Sequence, residues 1–408
     1  MDDPVGDLMS KKTGGVAALV ALCGLSLFLL NCGSTVSRSS GLLYVLSQGS
    51  SDVSSYAINL SSGNLSLINS NAKTENTPSS IILDPAGTVA FVLNAGSGDI
   101  TGYTIGKDGS LSPSSGTTAI TVQNPIAMTR DAAGTFLFVV SQGSIPPPSN
   151  CPLPEPDATC PHLSVFSMQS GSTSLSLASQ TSLPRVPTGI AATAGPNSTV
   201  LLYVTSNLDL IGTNDNTVSE YSVDPSGNVA EQAGSPYTTA SNPSAVVAVT
   251  TSPIGGSGGL FVYLANVTTN SVSVFQVCTV QTATCTQQNV TDLTLLPVGT
   301  PSTVGSEPVA MVVDPKSQFL FVASKNSNQV FGFRINATQG TLSALNPANV
   351  STGSAPIALA MHSSGKFLYV SNNASSNISG FNVDTTSGAM SSPITITSLG
   401  NPAGLVSK

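Results

Sequence analysis

Tyr369-Val-Ser-Asn372, then Ile378-Ser-Gly-Phe-Asn-Val383, then Gly388-Ala-Met390: this stretch decides the fold, because the chain repeats it. Its first element recurs as Tyr44-Val-Leu-Ser47, Phe91-Val-Leu-Asn94, Phe138-Val-Val-Ser141, Tyr203-Val-Thr-Ser206, Tyr263-Leu-Ala-Asn266 and Phe321-Val-Ala-Ser324. The second recurs at 53–58, 100–105, 163–168, 218–223, 272–277 and 330–335. A proline opens a short apolar run before each first element: Pro78, Pro125, Pro187, Pro243, Pro308 and Pro356, with Pro402 near the C-terminal end. These prolines lie 47, 62, 56, 65, 48 and 46 residues apart. A period in the forties with four short β-branched or aromatic segments per unit is the signature of a β-propeller.

Each unit reads as an inner strand A, then B, C and an outer strand D, with turns at Asp84-Pro-Ala-Gly87, Asp131-Ala-Ala-Gly134 and Asp224-Pro-Ser-Gly227. The first unit starts at strand B and lacks a strand A, whereas Asn401-Pro-Ala-Gly-Leu-Val406 is a strand A without a B. The expected fold is therefore all-β: seven four-stranded antiparallel blades over 41–408, with the C-terminal strand completing blade 1. Closure removes the open sheet edges that invite aggregation.

Ahead of the repeats, Lys11 and Lys12 precede the apolar run Val16–Leu30, 15 residues long. That is short of the ~20 a membrane span needs and fits a signal-peptide core. Asp2, Asp3 and Asp7 do not suit a positive leader, which points to Met9 as the translation start. The run ends Leu29-Leu30-Asn31-Cys32-Gly33-Ser34, similar to a bacterial lipobox in which Cys32 is lipidated; Asn31 replaces the usual small residue. Residues 1–31 are expected to be a signal peptide, 32–40 a tether, and the product a cell-envelope protein, membrane-attached through Cys32. An ordinary signal peptide, giving a periplasmic or secreted protein, or an uncleaved anchor is the alternative.

Charged residues are 8% of the chain, against a typical ~25%. Hydrophobic residues reach 40%, enough for a core, so disorder is excluded. A net charge of −8, with 12 Lys and Arg scattered rather than striped, argues against nucleic acid. Besides Cys23 and Cys32, four cysteines remain: Cys151, Cys160, Cys278 and Cys285. Three pairings are possible; an oxidising compartment and short intervals favour Cys151 with Cys160 and Cys278 with Cys285 over a metal site.

Long insertions fall at Gln142–Pro161 and Asn207–Thr217, both B–C loops, and at Thr291–Ser306, a D–A passage. In a four-stranded blade these connections share one face, and loops on a rigid scaffold are where binding usually resides. Arg130, at the end of an inner strand by the channel, and His362 are the catalytic candidates. His362, however, stands at the A–B turn position held by Asp84, Asp131 and Asp314. His162, beside Cys160, is expected on an exposed loop. Asn214-Asp215-Asn216 offers oxygen atoms but not a calcium loop's spacing. No cofactor or metal is expected.

At the level of its repeats the chain resembles the lactonase-like seven-bladed propellers, the 6-phosphogluconolactonase and YVTN-repeat group. The resemblance covers about 41–408 and rests on Asp-Pro-x-Gly, Phe/Tyr-Val-x-Asn and Val-x-x-Tyr/Phe elements. It implies a lactonase at the channel mouth. Yet the inner-strand starts read Asn124-Pro-Ile-Ala-Met128 and Glu307-Pro-Val-Ala-Met311, without the group's His. After strand B, where the group carries an acid, stand Asn94, Ser324-Lys325-Asn326 and Asn372-Asn373. The leading expectation is thus a monomeric binding scaffold that takes a protein or carbohydrate ligand on its loop crest. The alternative is a lactone hydrolase or isomerase at the channel mouth.

Overall fold

The computed structural model describes residues 41–114, 123–144, 147–148, 151, 159–252, 258–278, 293–391, 393–397 and 400–408. These build seven antiparallel sheets. The inner strands are Pro402–Ser407, Pro78–Leu83, Pro125–Arg130, Arg185–Ala194, Pro243–Thr250, Pro308–Val313 and Pro356–Met361, for blades 1 to 7. Neighbouring inner strands pack side by side around the axis, including the first against the last.

Proline suits the start of an inner strand because it lacks a ladder donor and is tolerated at a strand's first residue. The second strands, such as Phe319–Ser324 and Phe367–Asn372, are buried along their whole length. That accounts for near-continuous apolar runs here instead of strict alternation: each blade is covered on both faces. The core is therefore a set of seams between blades. Leu43, Val45, Tyr56 and Leu405 of blade 1, for example, pack against Phe367 and Tyr369 of blade 7.

Blade 1 is closed by the C-terminal strand. Tyr44 pairs with Val406 and Leu46 with Gly404, and Leu42 and Lys408 exchange backbone hydrogen bonds of 3.0 and 2.9 Å. In blades 4 and 5 the outer strand is split into two pieces. Val229–Glu231 and Tyr237–Thr238 both pair with Asn214–Val223; Leu295–Pro297 and Ser302–Thr303 both pair with Ser271–Val277.

Two of the expected insertions are more ordered than their sequence suggests. The blade-4 connection is not a loop from Asn207 to Thr217: strands Val200–Asp209 and Asn214–Val223 extend the hairpin until only a tight turn remains. Cross-strand pairing there outweighs the polar, turn-like composition. The passage 291–306 likewise contains the split outer strand of blade 5. Cys151 and Cys160 form a disulfide with their Cα atoms 5.7 Å apart. Cys278 is also disulfide-bonded; Cys285, the partner expected for it, lies outside the described residues, as do Cys32 and the rest of 1–40.

Candidate functional site

The inner strands end at two mouths of the central channel, and the two are built differently. At the A–B mouth the turns are organised by carboxylates. Asp314 accepts backbone hydrogen bonds from Lys316, Gln318 and Phe319 at 3.1, 2.6 and 2.6 Å. Asp84 accepts from Thr88 and Val89, and Asp131 from Ala133 and Phe136. His362 does the same work in blade 7: its Nδ1 accepts from the Ser364 N–H at 3.1 Å, and its ring meets Phe367 edge-on. Burial holds the imidazole below its ordinary pKa, offset in part by a hydrogen bond to the Lys408 backbone. Both ring nitrogens are engaged in structure.

A cavity of about 580 Å³ opens at this mouth, lined by Asp84, Arg130, Ser363, Ser407 and Lys408 among others. Arg130 donates through Nε to the Leu83 carbonyl at 2.6 Å and through Nη1 to the Asp131 carbonyl at 2.9 Å. Lys408 donates to the Gly87 carbonyl at 2.8 Å. The two cations clasp the blade-2 turn from either side. Burial depresses the Arg130 pKa, while Asp131 and Asp84 raise it. Every carboxylate described at this mouth is already accepting backbone bonds, so no general base stands free beside Arg130.

The opposite mouth, where D–A and B–C connections meet, is lined by amides. The residue before the inner-strand proline has a left-handed backbone in six blades: Thr77, Asn124, Asn242, Glu307, Ala355 and Asn401, with φ between 29° and 60°. This conformation is strained for a non-glycine residue, and such strain clusters at functional sites. Its carbonyl accepts from the residue just after strand B, as in Lys325 N–H to Glu307 at 2.8 Å and Asn373 N–H to Ala355 at 2.9 Å. The side chains of these two positions therefore meet around the opening. Gln142 donates to the Pro187 carbonyl, Asn207 to Asn242 Oδ1, and Asn373 to the Pro402 carbonyl.

One carboxylate stands in this amide ring. Glu307 Oε1 lies 2.9 Å from Lys325 Nζ, with side-chain exposures of 26% and 38%. The Glu307 N–H is held by Asn270 Oδ1 at 3.1 Å. Two further ion pairs lie on this side: Lys73 with Asp52 joins the outer two strands of blade 1, and Arg185 with Asp215 braces the blade-4 hairpin, where Asn216 caps the Asn242 N–H. Asp215 and Asn216 are thus structural. His162 is 1% exposed, not on an open loop: it opens strand His162–Met168, paired with Ser141 on one side and Ser182 on the other, and its Nδ1 meets the Cys160 carbonyl at 3.0 Å.

The family model of seven-bladed β-propeller lactonases matches residues 34–135 and 157–399. The chain belongs to the lactonase seven-bladed β-propeller family. No curated protein matches it significantly. Among solved structures, this lactonase propeller is similar to a putative 6-phosphogluconolactonase from Bacteroides fragilis, at 16% identity and TM-score 0.68, covering 92% of this chain and 100% of the other. It is also similar to the periplasmic gluconolactonase of Pseudomonas aeruginosa, at 19% identity and TM-score 0.66, covering 90% and 98%. At those identities the likeness is one of fold.

Within the family fold, the structure separates the two candidates from the ionised pair: Arg130 and His362 lie at the A–B end, Glu307 and Lys325 at the other. Sequence reasoning passed over Glu307 and Lys325 because each was read against a family pattern it does not match. The available signal was positional: one precedes the inner-strand proline and the other follows strand B. Among the described residues no cluster of three or more His, Cys, Asp or Glu is placed to hold a metal, and no helix is long and apolar enough to cross a membrane.

Proposed function

We propose that this protein hydrolyses a sugar lactone at the amide-lined mouth, with Glu307 as general base and Lys325 as the oxyanion-stabilising cation. The observation that carries this reading is the Glu307–Lys325 pair, partly exposed within a ring of side-chain amides; family membership supports it. Water loses a proton to Glu307 and adds to the lactone carbonyl. The Lys325 ammonium stabilises the developing oxyanion. Collapse breaks the ring C–O bond, and the released alkoxide takes back the proton held by Glu307, giving the open hydroxy acid and restoring the carboxylate. Asn and Gln side chains suit the sugar hydroxyls. Lys73, Arg185 and Lys325 are each paired with a carboxylate, which favours an unphosphorylated lactone over a phosphorylated one.

The test is hydrolysis of D-glucono-1,5-lactone, corrected for spontaneous opening. Glu307→Gln is expected to lower kcat by about 10²-fold or more with unchanged thermal unfolding. Wild-type turnover equal to the spontaneous rate would overturn the reading. Binding without turnover in that assay would favour the second reading, a carbohydrate-binding crest. The observation behind it is the Cys151–Cys160 disulfide within the B–C connection of blade 3, a connection that belongs to the same side.

We also propose that the chain is exported and lipid-anchored through Cys32, supported by the apolar run and lipobox-like ending. A Cys32→Ser protein is expected to leave the membrane fraction; unchanged partitioning would contradict the anchor.

A further inference from the structure

The aromatic residue in the middle of each second strand tells the seams apart. In blades 1, 5 and 7 it is a tyrosine whose hydroxyl donates to a glycine carbonyl in the C–D turn of the next blade: Tyr44 to Gly109 at 3.1 Å, Tyr263 to Gly340 at 2.8 Å, Tyr369 to Gly63 at 2.8 Å. In blades 2, 3 and 6 it is phenylalanine, which needs no partner. Blade 4 has Tyr203, whose buried hydroxyl has no hydrogen-bond partner. This is the tyrosine without the inter-blade staple.

Directly across the ladder from that aromatic, six blades place a small or apolar residue: Ser55, Gly102, Val165, Val274, Gly332 and Gly380. Opposite Tyr203 stands Glu220. It is 0% exposed, and neither carboxyl oxygen has a hydrogen-bond partner. The Tyr203 phenol lies beside the carboxyl and interacts with it, without the alignment of a closed hydrogen bond. Tyr237, on the split outer strand, also feels the Glu220 charge, while its phenol turns toward Thr294 and Leu295 of blade 5.

Val218, two residues along and on the same strand face as Glu220, packs with Tyr203 against Leu260, Val262, Phe275 and Leu295 of blade 5. Glu220 therefore points into the seam between blades 4 and 5. Tyr203 and Tyr237 are the titratable groups that face it, and blade 5 presents apolar side chains there. None of the ion pairs among the described residues includes it. A lone buried carboxylate is very costly, so such a group keeps its proton.

We propose that Glu220 makes the seam between blades 4 and 5 a proton-controlled joint, shut while the carboxyl holds its proton and loosened when the proton is lost. In every other tyrosine-bearing blade a hydroxyl-to-glycine bond holds the same place. Burial raises the Glu220 pKa to about 8, with Tyr203 lowering it in part. The sign follows from linkage. The folded carboxyl is the weaker acid, so the joint is tightest below the unfolded value, near 4.5, and weakens as pH rises toward 8.

Hydrogen exchange followed by mass spectrometry on the full chain, from pH 5 to 9, tests this. Protection of seam amides in 200–223 and 260–277, taken as the ratio of wild type to Glu220→Gln, is expected to fall by up to tenfold per pH unit to about pH 8 and then level off. The seam between blades 7 and 1 serves as the internal control and should show no such trend. Tyr203→Phe keeps the carboxyl and removes the group that eases its ionisation, so the levelling-off should move to higher pH. A ratio independent of pH, the same trend in the control seam, or a Tyr203→Phe profile identical to wild type would overturn the proposal. Should Glu220→Gln fail to fold, wild type against Tyr203→Phe decides it.

Discussion

The two mouths of this propeller are formed by opposite ends of the same seven strands, yet they use their polar groups differently. At the A–B mouth each carboxylate is spent on backbone N–H groups, and the two cations that line the cavity, Arg130 and Lys408, on carbonyls. At the other mouth one carboxylate and one ammonium face each other, half in solvent, inside a ring of amides. The lesson is that charge near a channel is not chemistry. Arg130 looks the more promising cation in sequence, but it is a strut between two turns; the proposed chemistry uses Lys325 instead.

The largest effect expected from breaking this comparison comes from the scaffold end. Removing residues 400–408 deletes the strand that pairs with Gly41–Ser47 and reopens the ring. Loss of the cooperative thermal transition is expected; a truncated protein that melts like wild type would refute closure. Next comes Asp314→Ala. It strands three backbone N–H donors at the A–B turn and should destabilise by about 1–3 kcal/mol in urea unfolding, with lactone turnover per folded molecule unchanged. The smallest effect sharpens the contrast. Arg130→Gln should change turnover by no more than ~2-fold, consistent with a residue whose loss touches turn packing and not the reacting groups.

Much of the fold was legible because propeller repeats announce themselves locally. A proline fixes the inner-strand start, an Asp fixes the A–B turn, and an aromatic fixes the second strand. The same alignment placed His362 in a turn, where its Nδ1 takes the N–H that a carboxylate takes elsewhere. It also leads to Lys408: the backbone exchange between Leu42 and Lys408 puts that residue in blade 1's turn position, at the break between the chain ends. The site was less legible. Glu307 and Lys325 are brought together by a D–A turn with a left-handed backbone at Glu307, whose φ is 58°. Composition does not announce that conformation. Glu220 was hidden for a different reason. Burial of its carboxyl depends on the neighbouring blade, whereas the sequence pattern reports only its own strand.

The central claim is that chemistry resides at the amide-lined mouth and structure at the other. Steady-state hydrolysis of D-glucono-1,5-lactone by wild type, Glu307→Gln and Arg130→Gln, measured side by side on protein checked for equal thermal unfolding, tests it most directly. The account predicts turnover lost in Glu307→Gln by about 10²-fold and retained in Arg130→Gln. Turnover retained in Glu307→Gln and lost in Arg130→Gln would contradict it.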